Sequence, residues 1–241
     1  MAQVLVEVSG LKKNYGRLRA LDDVAFSIRS NELLGLIGPN GAGKTTVFEC
    51  LAGVQPADAA RIMFQRAPLD ASHRSSVLFY VPDGIAPWPE QPVQWALDFS
   101  LDFLGGRRGS YHEVVEQLEL NTLLRSPLGT LSKGQRKRVL LGLGLLSPQP
   151  ILLIDEPFEG LDLRQTKQAM AALRRHVADG RTLFVSIHQI VEAARLCDRL
   201  ILLNAGRSVA EGTAAELAEL AAQASPDRRP ADFEEVFLAL T

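Results

Sequence analysis

Nothing in this chain constrains its fold more than Gly38-Pro39-Asn40-Gly41-Ala42-Gly43-Lys44-Thr45-Thr46. The stretch fits the pattern of a phosphate-binding loop: glycine, four residues, then Gly-Lys-Ser/Thr. Such a loop needs a strand before it and a helix after it. Leu33-Leu34-Gly35-Leu36-Ile37 is a short apolar run of the kind that makes a buried strand. Thr46 to Ala52 is able to open a helix. The glycines let the chain turn back, so that consecutive N–H groups face one concavity. The helix aims its positive end at the same place. Lys44 is then placed to reach terminal phosphates, and the Thr45 hydroxyl to ligand Mg²⁺. The alternative is a glycine-rich turn that happens to end in Lys-Thr, which would require neither flanking element.

The rest of the chain supplies more strands and helices. Val4, Val6 and Val8 alternate as in a half-buried strand, and Val24, Phe26 and Ile28 repeat the pattern. Between them Lys12 to Arg17 is expected as a loop, where Tyr15 is either a packing residue or a platform for a nucleobase. Arg61–Phe64 and Val77–Val81 are expected strands, the second stopped by Pro82-Asp83-Gly84. The prolines from Pro87 to Pro92 mark a lobe boundary. From Val93 to Ser147 no strand is expected. Trp95, Leu97, Phe99, Leu101, Phe103 and Leu104 predict a helix buried around much of its circumference. Tyr111 to Leu118 and Ser132 to Leu146 predict two more helices. Strands return at Ile151–Ile154, Thr182–Ile187 and Leu200–Leu203, with helices between them. Thr213 and Glu216 form a capping-box pattern ahead of a further helix. Ser225 to Pro230 is expected as an exposed linker, and Asp232 to Leu240 as a last helix.

The expected fold class is α/β: a P-loop NTPase whose mostly parallel sheet carries an N-terminal antiparallel β portion and an inserted helical subdomain. Within a single domain over 1–241, the core takes 1–92 and 148–222, the helical subdomain 93–147, and the linker with its final helix 223–241. A net charge of −2 offers no general grip on nucleic acid, so no such partner is expected. Cys50 and Cys197 sit in apolar, helix-like surroundings, which suits reduced core thiols better than a disulfide. The first residues lack the basic start of a signal peptide, and no stretch is long and apolar enough to span a bilayer. The expected location is therefore cytoplasmic, with any membrane role exerted through a partner.

A second chemical cluster stands at Asp155-Glu156, delivered by an apolar strand at the end where ligands of open α/β sheets bind. Neighbouring strand residues face opposite ways, so the two acids are expected to do different work. Asp155 suits a hydrated Mg²⁺ beside Thr45. Glu156 suits polarising a water that attacks the terminal phosphate. Otherwise the pair would cap a helix ahead of Pro157.

Leu131-Ser132-Lys133-Gly134-Gln135 resembles the signature peptide of ABC (ATP-binding cassette) ATPases, with lysine at a place where glycine is commoner. Gly160-Leu161-Asp162 looks like that family's D-loop, and His188 like its switch histidine. Tyr15 takes the place of the aromatic that stacks on adenine. The resemblance runs from Leu5 to about Gly212. It implies an ATPase that binds ATP and Mg²⁺ between two head-to-tail copies. Ser132, Lys133, Gly134 and Gln135 of one copy would then close on the phosphate loop of the other. Ser132 alone also reads as a helix N-cap, and the two roles are compatible. His188 alone reads as a core histidine.

One position departs from the family: Asp83 stands where glutamine is usual. It is short and charged, and it either reaches Mg²⁺ through water or adds unwelcome negative charge. The final helix and the short helical lobe resemble those of ABC-2-type exporter ATPases, single subunits that pair with separate membrane permeases and lie on the cytoplasmic face of the membrane. Three other functions compete with an exporter ATPase. They are an importer ATPase subunit, a nucleotide-gated module with weak hydrolysis, and an ABC protein acting on DNA or ribosomes.

Overall fold

The computed structural model describes residues 3–106, 108–224 and 230–241. Of the linker expected over Ser225 to Pro230, residues 225–229 lie outside the described residues. The chain opens with a long hairpin, β1 (Val4–Tyr15) and β2 (Leu18–Arg29), followed by β3 (Leu33–Ile37) and α1 (Lys44–Ala52). Next come β4 (Ala59–Phe64), β5 (Ala67–Pro68), the single turn α2 (Arg74–Val77) and β6 (Leu78–Val81). Three helices follow: α3 (Val93–Leu104), α4 (Tyr111–Gln117) and α5 (Lys133–Leu146). The chain then alternates through β7 (Ile151–Ile154), α6 (Leu163–Ala178), β8 (Thr182–Ile187), α7 (Ile190–Leu196) and β9 (Arg199–Asn204). It closes with β10 (Arg207–Gly212), α8 (Ala214–Ala224) and α9 (Phe233–Leu240).

Among the described residues the strands form two sheets. The smaller is antiparallel, in the order β2-β1-β4-β5. The larger runs β10-β9-β3-β8-β7-β6, parallel except for the β10 edge. Every residue of β3, β7 and β8 is buried. That is why these strands read as continuous apolar runs rather than as alternation. Along β3, Leu33 and Ile37 enter the core shared with α5, α6 and α7. Leu34 and Leu36 enter the core shared with α1 and the antiparallel sheet. The helical region 93–147 inserts between β6 and β7, which are nonetheless paired, with Val81 opposite Ile154.

Two sequence expectations are corrected. The loop expected over Lys12 to Arg17 shrinks to the turn at Gly16 and Arg17; β1 continues to Tyr15, which pairs with Leu18. The register shifts between Val8 and Leu11, where Gly10 adopts φ +65°. This irregularity puts the alternation out of phase, so the second half of the strand hides from a period-two search. The second correction concerns α3, which buries one stripe only: Val93, Ala96, Leu97, Ser100 and Leu101. Trp95, Phe99 and Phe103 are 39%, 37% and 74% exposed. Their i, i+4 spacing stacks them on each other, at 5.1 Å for Trp95–Phe99 and 5.4 Å for Phe99–Phe103. Trp88 meets the first two edge-on.

Candidate functional site

The phosphate-type loop leaves the buried end of β3 and enters α1 at Lys44. Close packing explains its glycines. A Cβ on Gly38 would lie 2.2 Å from the Leu203 carbonyl oxygen. Gly43 has φ +103°, and a Cβ there would meet Leu21 and the Ala20 carbonyl of β2. Pro39, Asn40 and Gly41 form the outward part of the turn, and the Ala42 N–H donates to the Pro39 carbonyl. Lys44 is buried and donates its ammonium to the carbonyls of Gly38 (2.9 Å) and Pro39 (3.3 Å). Burial lowers its pKa, opposed by the negative charges of Glu156 and Asp155. The Lys44 ammonium therefore lies inside the loop's own curve. Thr46 follows in the first turn of α1.

Asp155 follows β7 and is 2% exposed. Both of its carboxylate oxygens are engaged. The Thr45 hydroxyl donates to Oδ2 at 2.7 Å, and the Ser186 hydroxyl donates to Oδ1 at 2.5 Å. Ser186 Oγ also accepts the Glu156 N–H at 2.9 Å. Strand order explains this convergence: β8 lies between β3 and β7, with Ser186 opposite Leu36. The serine thus bridges the strand that leads into the loop and the strand that carries the acids.

Glu156 lies beyond the end of β7, at φ +49°. The expected division between the two acids comes from this left-handed turn, not from strand alternation. Non-glycine residues rarely adopt that conformation. Glu156 Oε1 stands 3.7 Å from His188 Nε2, and His188 is about half exposed. Burial raises the Glu156 pKa, His188 opposes the rise, and Glu159 adds to it. Glu156 and His188, with Phe158, Gly160, Leu161 and Gln189, line a cavity of about 430 Å³.

The Ser132 motif forms the start of α5. Ser132 Oγ accepts the Gln135 N–H at 3.2 Å, and the Gln135 side chain accepts the Ser132 N–H at 2.9 Å. This is a full capping box, so both side chains serve their own helix. Lys133 pairs with Glu159. Gly134 packs against the Gly160 carbonyl, 2.5 Å from where a Cβ would stand. Leu161 packs partly buried against the core, and Asp162 caps α6 by accepting the Gln165 N–H at 2.8 Å. Tyr15 stands at the turn of the β1–β2 hairpin, 42% exposed, with the Lys13 ammonium 5.1 Å from its ring centre.

Asp83 is not a loose negative charge. The Lys137 ammonium donates to its Oδ1 at 2.5 Å. Burial pushes the Asp83 pKa up, but the hydrogen bond and charge of Lys137, with the charge of Lys133 and the Gly84 N–H, hold it below the ordinary aspartate value. Sequence reasoning overlooked the parts played by Ser186 and Lys137. An acid where an amide is usual was the available signal for the lysine, since a half-buried carboxylate requires a counter-charge.

The donor set of Thr45 and Asp155, one hydroxyl and one buried carboxylate, has the chemistry of a Mg²⁺ site completed by phosphate oxygens and water. Among the described residues no cluster of three or more His, Cys, Asp or Glu side chains is arranged to hold a metal by itself. None of the helices among them is long and apolar enough to cross a membrane.

Comparison with known proteins agrees with this geometry. The sequence profile of the family described as "ABC transporter" matches residues 21–159. The chain is 32% identical to the Nod factor export ATP-binding protein I of Rhizobium sp. (strain N33), over 91% of this chain and 74% of that one. It is 33% identical to the sulfate/thiosulfate import ATP-binding protein CysA of Bordetella bronchiseptica, over 89% of this chain and 63% of that one. A solved ATP-binding subunit of an ABC transporter superposes with a TM-score of 0.86 at 26% identity, covering 98% of this chain and 99% of the other. Loop, buried acids, signature helix and overall fold converge on one conclusion: the chain belongs to the ABC transporter ATP-binding family, as an ATPase subunit that binds ATP and works with membrane permease components.

Proposed function

We infer that this chain hydrolyses ATP to power an ABC exporter of the ABC-2 type. The observation that carries the catalytic part is the hydrogen-bonded run Thr45–Asp155–Ser186–Glu156 beside the phosphate loop. Residues 38–46 cradle the triphosphate with backbone N–H groups, Lys44 balances its charge, and Tyr15 stacks on the adenine. Thr45 and Asp155 would hold Mg²⁺, which would supply charge neutralisation on the phosphates, and Asp83 would take part through a water. Glu156 accepts a proton from water as the water oxygen attacks the γ-phosphorus. The bond to the bridging oxygen breaks, and ADP and inorganic phosphate leave. His188 faces the same terminal phosphate.

Two copies pair head to tail, so that Ser132 to Gln135 of one close over the phosphates of the other, with Leu161 and Asp162 at the junction. The core is 1–92 with 148–222, and the helical lobe is 93–147. The subunit sits at the cytoplasmic face of a membrane through its permease. The stacked, exposed Trp95, Phe99 and Phe103, with Trp88 a few residues beyond Asp83, are the surface assigned to that permease.

Export is favoured over import by the Nod factor export relatives and by the final helix, whose sequence resembles that of ABC-2-type exporter ATPases. That helix, α9, is capped by Asp232 and buries Val236 and Phe237 against the core. Import has the support of the sulfate/thiosulfate relative. The test is to isolate the subunit with its permease from detergent extracts and reconstitute the complex in vesicles. ATP-driven efflux from the side bearing the ATPase supports export, and uptake toward that side refutes it. A weakly hydrolysing module would show slow turnover that rises on Asp83→Gln.

A further inference from the structure

Lys137 lies on α5, the helix that begins at Ser132, and is only 3% exposed. Its ammonium touches two segments of the core. One contact is the Asp83 carboxylate, just after β6, at 2.5 Å. The other is the main-chain carbonyl of Asp155, just after β7, at 3.4 Å. The two segments are themselves joined, because the Asp155 N–H donates to the Val81 carbonyl at 2.9 Å. An ammonium so deeply buried persists only with a counter-charge, and Asp83 provides it.

We propose that Lys137 is a positioning residue of the nucleotide site: it neutralises the Asp83 carboxylate and ties it, together with the main chain of Asp155, to the helix that begins at Ser132. The inference rests on Thr45 and Asp155 being the nucleotide and metal site. It explains how an acid stands at position 83 without repelling the triphosphate. It also makes the start of α5 and the Asp155 segment move as one body, since a single ammonium holds both.

The pair has a charge signature that a merely structural lysine lacks. Wild type and the double variant Asp83→Gln/Lys137→Gln carry no net charge at this point. Lys137→Gln alone leaves one negative charge, and Asp83→Gln alone leaves one positive charge. Two unit charges about 10 Å apart interact at an effective dielectric of about 20 strongly enough to change an affinity about tenfold. The experiment is calorimetric titration of the full chain with ADP in the absence of Mg²⁺, with a thermal melt of each variant. The expected order of affinity is Asp83→Gln tightest, wild type and double variant within about twofold of each other, and Lys137→Gln weakest, with about tenfold steps. If Lys137→Gln does not fold, the tightening in Asp83→Gln and its reversal in the double variant decide the matter. Equal affinities, or weakening in every variant in proportion to lost stability, would overturn the proposal. Wild-type protein that fails to bind ADP would instead overturn the site reading on which it rests.

Discussion

Replacing Ser186 with alanine tests the centre of the site with one atom. The hydroxyl donates to the buried Asp155 carboxylate at 2.5 Å and accepts the Glu156 N–H at 2.9 Å, and the serine has no exposed surface. A hydrogen bond to a charged group contributes about 1.5–3 kcal/mol and a neutral one about 1 kcal/mol. Both bonds pass through the same oxygen, so their loss is not fully additive, and about 3 kcal/mol is the expected destabilisation. In a domain of this size that lowers the melting midpoint by about 6–12 °C. The lost oxygen leaves almost no cavity, so the effect is polar rather than a packing loss. A second readout separates stability from function. With only Thr45 left to orient it, the Asp155 carboxylate should require about ten times more Mg²⁺ for half-maximal MgADP binding, as when a ligand's outer hydrogen-bond partner is removed. Differential scanning fluorimetry and Mg²⁺ titrations on the same preparations supply both numbers. A variant that melts within about 2 °C of wild type and binds with unchanged Mg²⁺ dependence would refute the assignment of Ser186 as the support of Asp155.

Glu156→Gln should retain ATP affinity and lose about 10²–10⁴-fold in steady-state turnover, because the amide cannot accept the proton. Wild-type turnover should fall with decreasing pH through a value above the ordinary glutamate range of about 4.3, since burial raises the Glu156 pKa and only the ionised form is a base. A pH–rate profile flat down to that range would refute it. Gly134→Ala drives a Cβ to 2.5 Å from the Gly160 carbonyl, so it should cost about 1–3 kcal/mol in urea unfolding and disturb the approach of α5 to the Gly160–Asp162 turn. Cys50 and Cys197, both buried with thiol pKa values pushed up by burial, should resist iodoacetamide in the native state and react once unfolded, as mass spectrometry would record.

Local chemistry was legible where the chain writes it within a few residues. Gly38 to Thr46 specifies its own turn, because the glycine positions and the following helix are contiguous. The strands β3, β7 and β8 announced themselves as apolar runs because both of their faces are covered. The caps at Ser132 and Thr213 involve partners three residues apart. By contrast, Tyr15 was placed in a loop because the irregularity at Gly10 puts the strand pattern out of phase. The α3 aromatics were assigned to the core because composition cannot distinguish an inward stripe from an outward one when both are apolar.

The sequence by itself determined a phosphate loop between a strand and a helix, a pair of acids at the end of another strand, and a lobe of helices between the two. Tertiary structure alone decided how these meet. It placed β8 between β3 and β7, so that a serine from a third strand joins Thr45, Asp155 and Glu156. It also brought Lys137 from the helical lobe onto Asp83, turning a doubtful charge into half of a neutral pair. The physical reason is that strand order and side-chain pairing between residues distant in the chain follow from how the layers pack. A local pattern carries only the period of each element, not its neighbour.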